Sequence, residues 1–414
     1  MDHGMADANQ ICMNCVVLVV AVFLAGALEI SCGGGSPATL AGPSIDPSVA
    51  GCPPLEILTT FSDGTYLWPT IAVGSDGTVY VARGIWQTPN GTDGGAGTWM
   101  PSDVVSIPPG GGGASEVSGT QTFMLPETSP LWVNGGNLSF WALRSLYTMP
   151  TSGATAPQLV NAIPSILDAG LAPPLAGCST AIMDSTAVTT VTTTVTSSTD
   201  TPVQLWRLPL DGSAPQAIFS SSDTSFSWMS QGPLAQDDSY VYFGSNGQGQ
   251  SPAGFYAVPK SGGAATLARS DVYVAGSEAL VRINEAFYAN DMRIGLARFS
   301  LDPRVPPQPI ATPYDPTVVT WAGVTDNAAS VGYVALGVNG DANTNWIAIA
   351  PLPTDSEQLK AIGCSPVVYP TPGNPVAGFF AVSALALDAD YVYGILELSP
   401  AGGDVQWQVF RVHR

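Results

Sequence analysis

The chain has 414 residues, 45 of them glycine and 36 proline, with 11% charged residues and a net charge of −20. So much Gly and Pro argues against helices and for an all-β fold, and so much negative charge would repel a phosphate backbone, which excludes nucleic acid as a partner. Two histidines, His3 and His413, are too few for a multi-histidine zinc site, and a Ser-His or Cys-His nucleophile would depend on His413 alone.

The first predicted element is an unbroken apolar run over 16–28. It is shorter than the ~20 residues a membrane helix needs and suits the core of a signal peptide. Ser31 and Cys32 follow, then Gly33, Gly34, Gly35 and Ser36. This arrangement resembles a bacterial lipoprotein signal, which implies that Cys32 is lipidated; ordinary cleavage after Ala25-Gly26-Ala27 is the alternative. Residues 1–31 then form a signal peptide and 32–54 a flexible tether. The expected location is outside the cytoplasm: an outer-membrane or cell-surface lipoprotein, or else a periplasmic or extracellular protein.

From residue 55 to 414 the chain reads as one domain built from a repeat. The clearest copy runs from Pro233 to Arg269: a short first strand at Leu234, an Asp237-Asp238 turn, an aromatic strand Tyr240–Phe243, a third strand Phe255–Val258 stopped by Pro259, a Ser261-Gly262-Gly263 turn, and a fourth strand at Thr266–Leu267. The second-strand signal recurs over 77–82, 137–142, 187–192, 239–244, 285–290, 331–336 and 390–395. The third-strand signal recurs over 104–111, 146–153, 205–212, 255–263, 296–303, 347–354 and 407–414. Fourth strands are expected near Glu116, Gln158–Val160, Gln216–Phe219, Ala265–Leu267, Pro309–Ala311 and Gln358–Ile362. The two series interleave seven times, so the prediction is an all-β, seven-bladed β-propeller of four-stranded antiparallel blades, with six or eight blades as alternatives.

Asp237, Tyr240–Phe243 and Val258–Gly263 together resemble the blade motif of bacterial secreted propellers of the TolB-like and NHL-like kind. The resemblance spans 55–414 and implies architecture, not activity.

Three segments interrupt the spacing: Trp86–Met100, Asn161–Cys178 and Gly363–Val382. Long loops on a rigid scaffold commonly carry function. The connections between blades add aromatics and acids, from which Trp68, Asp223, Trp228, Tyr273, Tyr314 and Asp315 are the candidate ligand-binding residues. Asp237-Asp238 and Asp388-x-Asp390 read as turn residues and not as an acid–base pair. No other cofactor is indicated, but the oxygen-rich stretch from Asn339 through Asp341 and Asn343 has calcium-loop character. Cys178 and Cys364 share a Gly-Cys-Ser context, and a disulfide is expected between them, with Cys52 on the opposite face.

Because the seventh copy ends at its third strand, Glu56–Phe61 is expected to pair antiparallel with Val409–His413 and close the ring. The functional expectation is a non-enzymatic, monomeric scaffold that binds a protein, peptide or glycan through its loop face and meets a membrane only through a lipid anchor. A lyase or hydrolase using loop carboxylates, with or without calcium, is the alternative.

Overall fold

Strand alternation decides the architecture. Along Tyr240–Ser245, Val241 and Phe243 pack against one neighbouring sheet and Tyr242 against the other. A strand buried on both faces needs a sheet on each side, and a ring of sheets supplies that. The computed structural model describes residues 52–61, 66–67, 70–87, 98–120, 130–142, 145–164, 181–193, 203–226, 232–245, 247, 249–274, 280–291, 293–310, 323–326, 331–339, 345–352, 361–367, 379–399 and 406–414.

Seven antiparallel blades form the ring. From axis to rim, blade one is Thr70–Val73, Val79–Gln87, Thr98–Ile107 and Ser115–Glu116, with Tyr66–Leu67 added on the far end of its second strand. Blade two is Leu131–Asn134, Asn137–Ala142, Ser145–Pro150 and Gln158–Ala162; blade three is Ala181–Met183, Ala187–Thr193, Val203–Pro209 and Gln216–Ser221. Blade four is Ala235–Gln236, Tyr240–Ser245, Gly254–Pro259 and Thr266–Arg269; blade five is Leu280–Ile283, Ala286–Asp291, Gly295–Phe299 and Gln308–Pro309. Blade six is Gly323–Asp326, Val331–Asn339, Asn345–Pro351 and Gly363–Val367. Blade seven takes Phe379–Leu387, Tyr391–Ser399 and Gln406–His413 from the C-terminal end and Glu56–Phe61 from the N-terminal end.

The closing strand pairs antiparallel with the third strand of blade seven as expected, but in the register Glu56↔Arg411 to Phe61↔Trp407, two residues earlier in that strand than Val409–His413. Leu58 is buried in the seam with blade one, and the Arg411 guanidinium grips the Glu56 carboxylate with Nε and Nη2, both at 2.8 Å.

Local chemistry explains the repeats. In blades two to four the third strand ends at Pro150, Pro209 or Pro259, and in blade one Pro108 follows it directly; the carbonyl of each accepts the amide of Gly153, Gly212, Gly262 or Gly111. These glycines have φ between +67° and +92°, a region where a side chain is strained. At Gly111 a Cβ would also sit 3.0 Å from the Leu58 carbonyl of blade seven. The acid in the first hairpin turn is equally local: Asp237 Oδ1 accepts the amides of Ser239 and Tyr240, and its Oδ2 accepts the Tyr242 hydroxyl at 2.5 Å. Asp388, Tyr391 and Tyr393 repeat this arrangement in blade seven. The turn reading of these acids therefore holds.

The buried hydrophobics among the described residues fall into seven clusters, one for each seam between neighbouring blades. Between blades four and five, Tyr242, Phe255, Phe287 and Phe299 pack with ring centroids 4.9–5.8 Å apart. Each such ring pair adds about 0.5–1.5 kcal/mol beyond the area it buries. Polar clasps supplement the seams at the rim. The Gly263 amide donates to Ile218 O across blades four and three, and the Gly112 amide to Leu58 O across blades one and seven.

Three expectations need correction. The disulfide joins Cys52 to Cys364, not Cys178 to Cys364; Cys178 lies outside the described residues. Residues 53–55 run beside the outer strand of blade six before entering blade seven: the Cys364 amide donates to Pro53 O and the Leu55 amide to Cys364 O. Cys52 is thereby brought against Cys364, on the same rim and not on the opposite face. Second, the outer strand of blade six is Gly363–Val367, not Gln358–Ile362, so the start of the expected loop is strand. Its Pro366 is tolerated because the strand is at the sheet edge. Third, both ends of the expected insertion Trp86–Met100 are strand, with Trp86 paired to Trp99 and Gln87 to Thr98, and residues 88–97 lie outside the described residues.

Candidate functional site

The connections between blades and the loops from second to third strands share one face of the ring. There Asp223, one of the two acids anticipated as ligands, has structural partners. Asp223 Oδ1 accepts the amides of Ser225 and Gln250, and Oδ2 accepts the amide of Ser251, at 2.8–3.0 Å. Burial works to raise this carboxyl's pKa, but the donors from Ser225, Ser251 and Gln250 outweigh it and hold the group well below the usual carboxylate range. Asp223 thus clamps the 249–251 loop of blade four to the connection that precedes it. Ser225 continues the clamp, its hydroxyl donating to Ser251 O. Gly249 is required at the clamp, because a Cβ there would lie 2.0 Å from Asp223 Oδ1.

Tyr273 stands at the next connection. Its amide donates to Asp291 Oδ2, a carboxylate that also receives the Arg293 guanidinium through Nη2 at 3.1 Å. The Arg293 guanidinium also donates to Asp271 O, and its bond to Asp291 raises its own pKa. Asp271 in turn holds Arg269 through two bonds of 2.7 Å, and that bond depresses its pKa. Two carboxylates and two guanidiniums therefore interlock the blade-four and blade-five loops. Phe226, one of the aromatics on the same connections, is buried against Phe219, Phe243 and Tyr256 as a seam plug. Trp68, Trp228, Tyr314 and Asp315 lie outside the described residues, as do Cys32, Asp341 and Asn343. Asn339 pairs with Asn345 at the end of the blade-six hairpin, so 340–344 connects its two strands.

The loop face is not symmetric. Among the described residues, the second strand has six residues in blades two, four and five and seven in blade three, but nine in blades six, seven and one. In each case it starts at the first hairpin turn, so the added length projects on the loop face. Three extra residues raise the hairpin by about 10 Å. Blades six, seven and one are contiguous through the ring closure, so the three hairpins form one raised rim. The rim's sequence is aromatic-rich. Backbone register sets Tyr66, Trp86 and Trp99 in one cross-strand row of blade one, and Trp346 and Phe379 occupy the tall ends of blades six and seven. Sequence reading missed this rim because strand length there is decided by pairing across segments that read as loops.

Glu397 lies on the same rim, in the second strand of blade seven and directly opposite Trp407. Burial raises its pKa to about 7. Trp407 is buried, and its indole Nε1 has no hydrogen-bond partner. Beyond it, across the seam, Arg83 forms a bidentate pair with Asp103 and lies 5.3 Å from the centre of the Phe61 ring. Among the described residues no three His, Cys, Asp or Glu side chains gather as a metal site would require.

No family model matches the chain, and no curated protein matches it. Solved structures do. The AfRom2 CNH domain aligns at 10% identity with a TM-score of 0.47, covering 86% of this chain and 98% of its own. YCF48 from Cyanidioschyzon merolae aligns at 10% identity with a TM-score of 0.44, covering 87% and 99%. An α-L-arabinofuranosidase from Fusarium graminearum aligns at 11% identity with a TM-score of 0.37, covering 87% and 97%. At these identities the likeness concerns the fold alone.

Proposed function

We propose that this chain is an exported, non-enzymatic binding propeller that receives a protein, peptide or glycan on its loop face, against the raised rim of blades six, seven and one. The observation that carries this reading is the rim itself: three contiguous hairpins extended by the same amount on the same side, with aromatic residues at their tall ends. The clamps at Asp223, Asp271 and Asp291 support it, because they hold the neighbouring loops in fixed shape and so reduce the entropy lost on binding. Trp68, Trp228, Tyr273, Tyr314 and Asp315 belong to the same face in this proposal, with Asp223 as a positioning residue. Export is supported by the Cys52–Cys364 disulfide, which needs an oxidising compartment. Anchoring through Cys32 goes with it, and calcium in the 339–345 hairpin is a further element of the proposal.

The test is a glycan and peptide array probed with the full chain, followed by Trp86→Ala and Trp99→Ala. Hits that weaken at least tenfold in both variants support the rim as the binding surface. Hits that both variants retain in full would sink it. A second reading, a hydrolase or lyase, is favoured by Glu397, since a carboxyl that titrates near 7 suits a general acid. Turnover of a glycoside or ester substrate that disappears in Glu397→Gln would replace the binding reading.

A further inference from the structure

The third strands of blades three, five and seven carry an arginine at one equivalent position. Arg207 pairs with Thr189 on the second strand and Gln216 on the outer strand. Arg298 pairs with Tyr288 and Gln308, and Arg411 with Tyr393 and Glu56. In two of these blades the guanidinium is neutralised by a carboxylate from its own blade. Arg207 takes both oxygens of Asp184 in the first hairpin turn, at 2.9 and 3.4 Å. Arg411 takes both oxygens of Glu56 on the outer strand, each at 2.8 Å.

Blade five replaces each acid by an amide. Asn284 stands at the hairpin turn, where blade three has Asp184, and Gln308 on the outer strand, where blade seven has Glu56. Among the ten described Lys and Arg residues, Arg298 is the one without a carboxylate or carbonyl partner. The other nine are held by Asp103, Asp184, Asp271, Glu285, Asp291, Asp302, Glu56 or, for Arg414, Asp388 O and the Tyr333 hydroxyl. In a chain of net charge −20, a free guanidinium stands out.

A groove of about 410 Å³ opens at this position, on the face opposite the loops, with Asn284, Tyr288, Arg298, Ser300 and Gln308 in its lining. The Ser300 hydroxyl is buried there and has no partner. Ile283, Val305 and Pro306 supply apolar walls. Glu285 also borders the groove, but its carboxylate is 95% exposed and lies 3.5 Å from Arg282. The outer wall is preformed. Arg269, whose side chain is fully buried, donates from Nη1 to the carbonyls of Ser300 and Asp302 and from Nη2 to that of Val305.

We infer that Arg298 is a vacant carboxylate seat, and that the blade-five groove binds the carboxylate of a small ligand, an acidic sugar or a peptide C-terminus. A guanidinium fork matches a carboxylate in two parallel bonds, and the chain itself makes that match at the two equivalent positions. Gln308, Ser300 and Asn284 supply donors for the remaining lone pairs, and the apolar walls receive the ligand's body. The inference is independent of the loop-face reading, since the groove lies on the other side of the ring.

Titration calorimetry or ligand-observed NMR on the full chain tests it with two pairs of probes: glucuronate against glucose, and an acetylated tripeptide with a free C-terminus against its C-terminal amide. A carboxylate probe should bind while its neutral counterpart does not. Binding should fall at least tenfold in Arg298→Gln, whose thermal midpoint should match the parent because no bond is lost. Gln308→Glu should restore the internal partner of blade seven, occupy the guanidinium and abolish binding while leaving the fold intact. Which carboxylate binds separates the sugar from the peptide source. The inference is overturned if neither carboxylate binds at millimolar concentration, if inorganic phosphate binds more tightly than either, or if Gln308→Glu binds as well as the parent.

Discussion

Replacing Cys52 and Cys364 by serine removes a covalent link across a sequence separation of 312 residues. The logarithmic loop-closure relation sets a ceiling of about 6 kcal/mol for a loop of that size, and disulfides in practice deliver about 2–4. The local geometry places this one near the middle of that range. Without it, residues 53–55 keep two backbone bonds to Cys364, and Glu56–Phe61 keeps its pairing to Trp407–Arg411. The expected loss is therefore about 3 kcal/mol, read as a lower urea midpoint for the double variant than for the oxidised parent. Hydrogen exchange adds the spatial test: the amides of Glu56–Phe61 should be deprotected first, because the strand is then no longer held covalently at Cys52. A loss below about 0.5 kcal/mol would show that the unfolded chain gains nothing from the release. Deprotection of blade four to the same degree as Glu56–Phe61 would show that the link does not act through the closing strand.

Arg269→Met should cost about 2–4 kcal/mol, since it strands the carbonyls of Ser300, Asp302 and Val305 in a buried site; chemical denaturation measures it, and a loss within 0.5 kcal/mol of zero would refute the clasp. Tyr242→Phe removes the hydroxyl held by Asp237 and should cost about 1–2 kcal/mol at neutral pH. Burial tends to raise the Asp237 pKa, but Tyr242 and the amides of Ser239 and Tyr240 lower it overall. That stabilisation is present above the unfolded pKa of about 4 and is lost as pH falls through the folded value, so the cost should shrink in acid. Glu397 behaves in the opposite sense. Its pKa is raised to about 7, so the penalty for ionising it grows between the unfolded value and about 7. Glu397→Gln should stabilise by about 1–3 kcal/mol near pH 8 and be neutral near pH 4, and equal thermal shifts at both pH values would contradict the buried carboxyl.

Much of the ring was legible because its signals are local. The Asp turn followed by Tyr-Val-Tyr at 237–242 and 388–393 encodes a hairpin, since the acid caps the turn and the tyrosine two residues into the strand reaches back to it. The closing strand was legible by subtraction, because Trp407–Val412 needed an outer partner and Glu56–Phe61 had none. Cys364 was misplaced because Pro366 and the adjoining glycine read as loop, whereas an edge strand tolerates both. The raised rim was hidden for a related reason: Trp86 and Trp99 meet only through pairing across 88–97. Arg298 left a usable trace. Aligning LWRLP, LARFS and VFRVH by strand register puts three arginines in one column, and asking each for its acid would have singled out the one without.

The disulfide fastens blade six, not the closing blade. The covalent circle it draws runs from Cys52 to Cys364 and so contains all of blades one to five and the first three strands of blade six, together with the closing strand of blade seven. A protease cut anywhere inside that circle opens the loop without parting the molecule, and on a non-reducing gel the nicked chain would migrate as one species. The three strands Phe379–Leu387, Tyr391–Ser399 and Gln406–His413 lie outside it. One cut between Val367 and Phe379 would leave the last blade held without a covalent link, by its packing, by its pairing to Glu56–Phe61, and by the bonds of Arg411 to Pro109 O and of Arg414 to the Tyr333 hydroxyl. The fold thus divides its exposure to proteolysis unequally, with the connection after blade six as the point where a single scission can cost the ring its final segment.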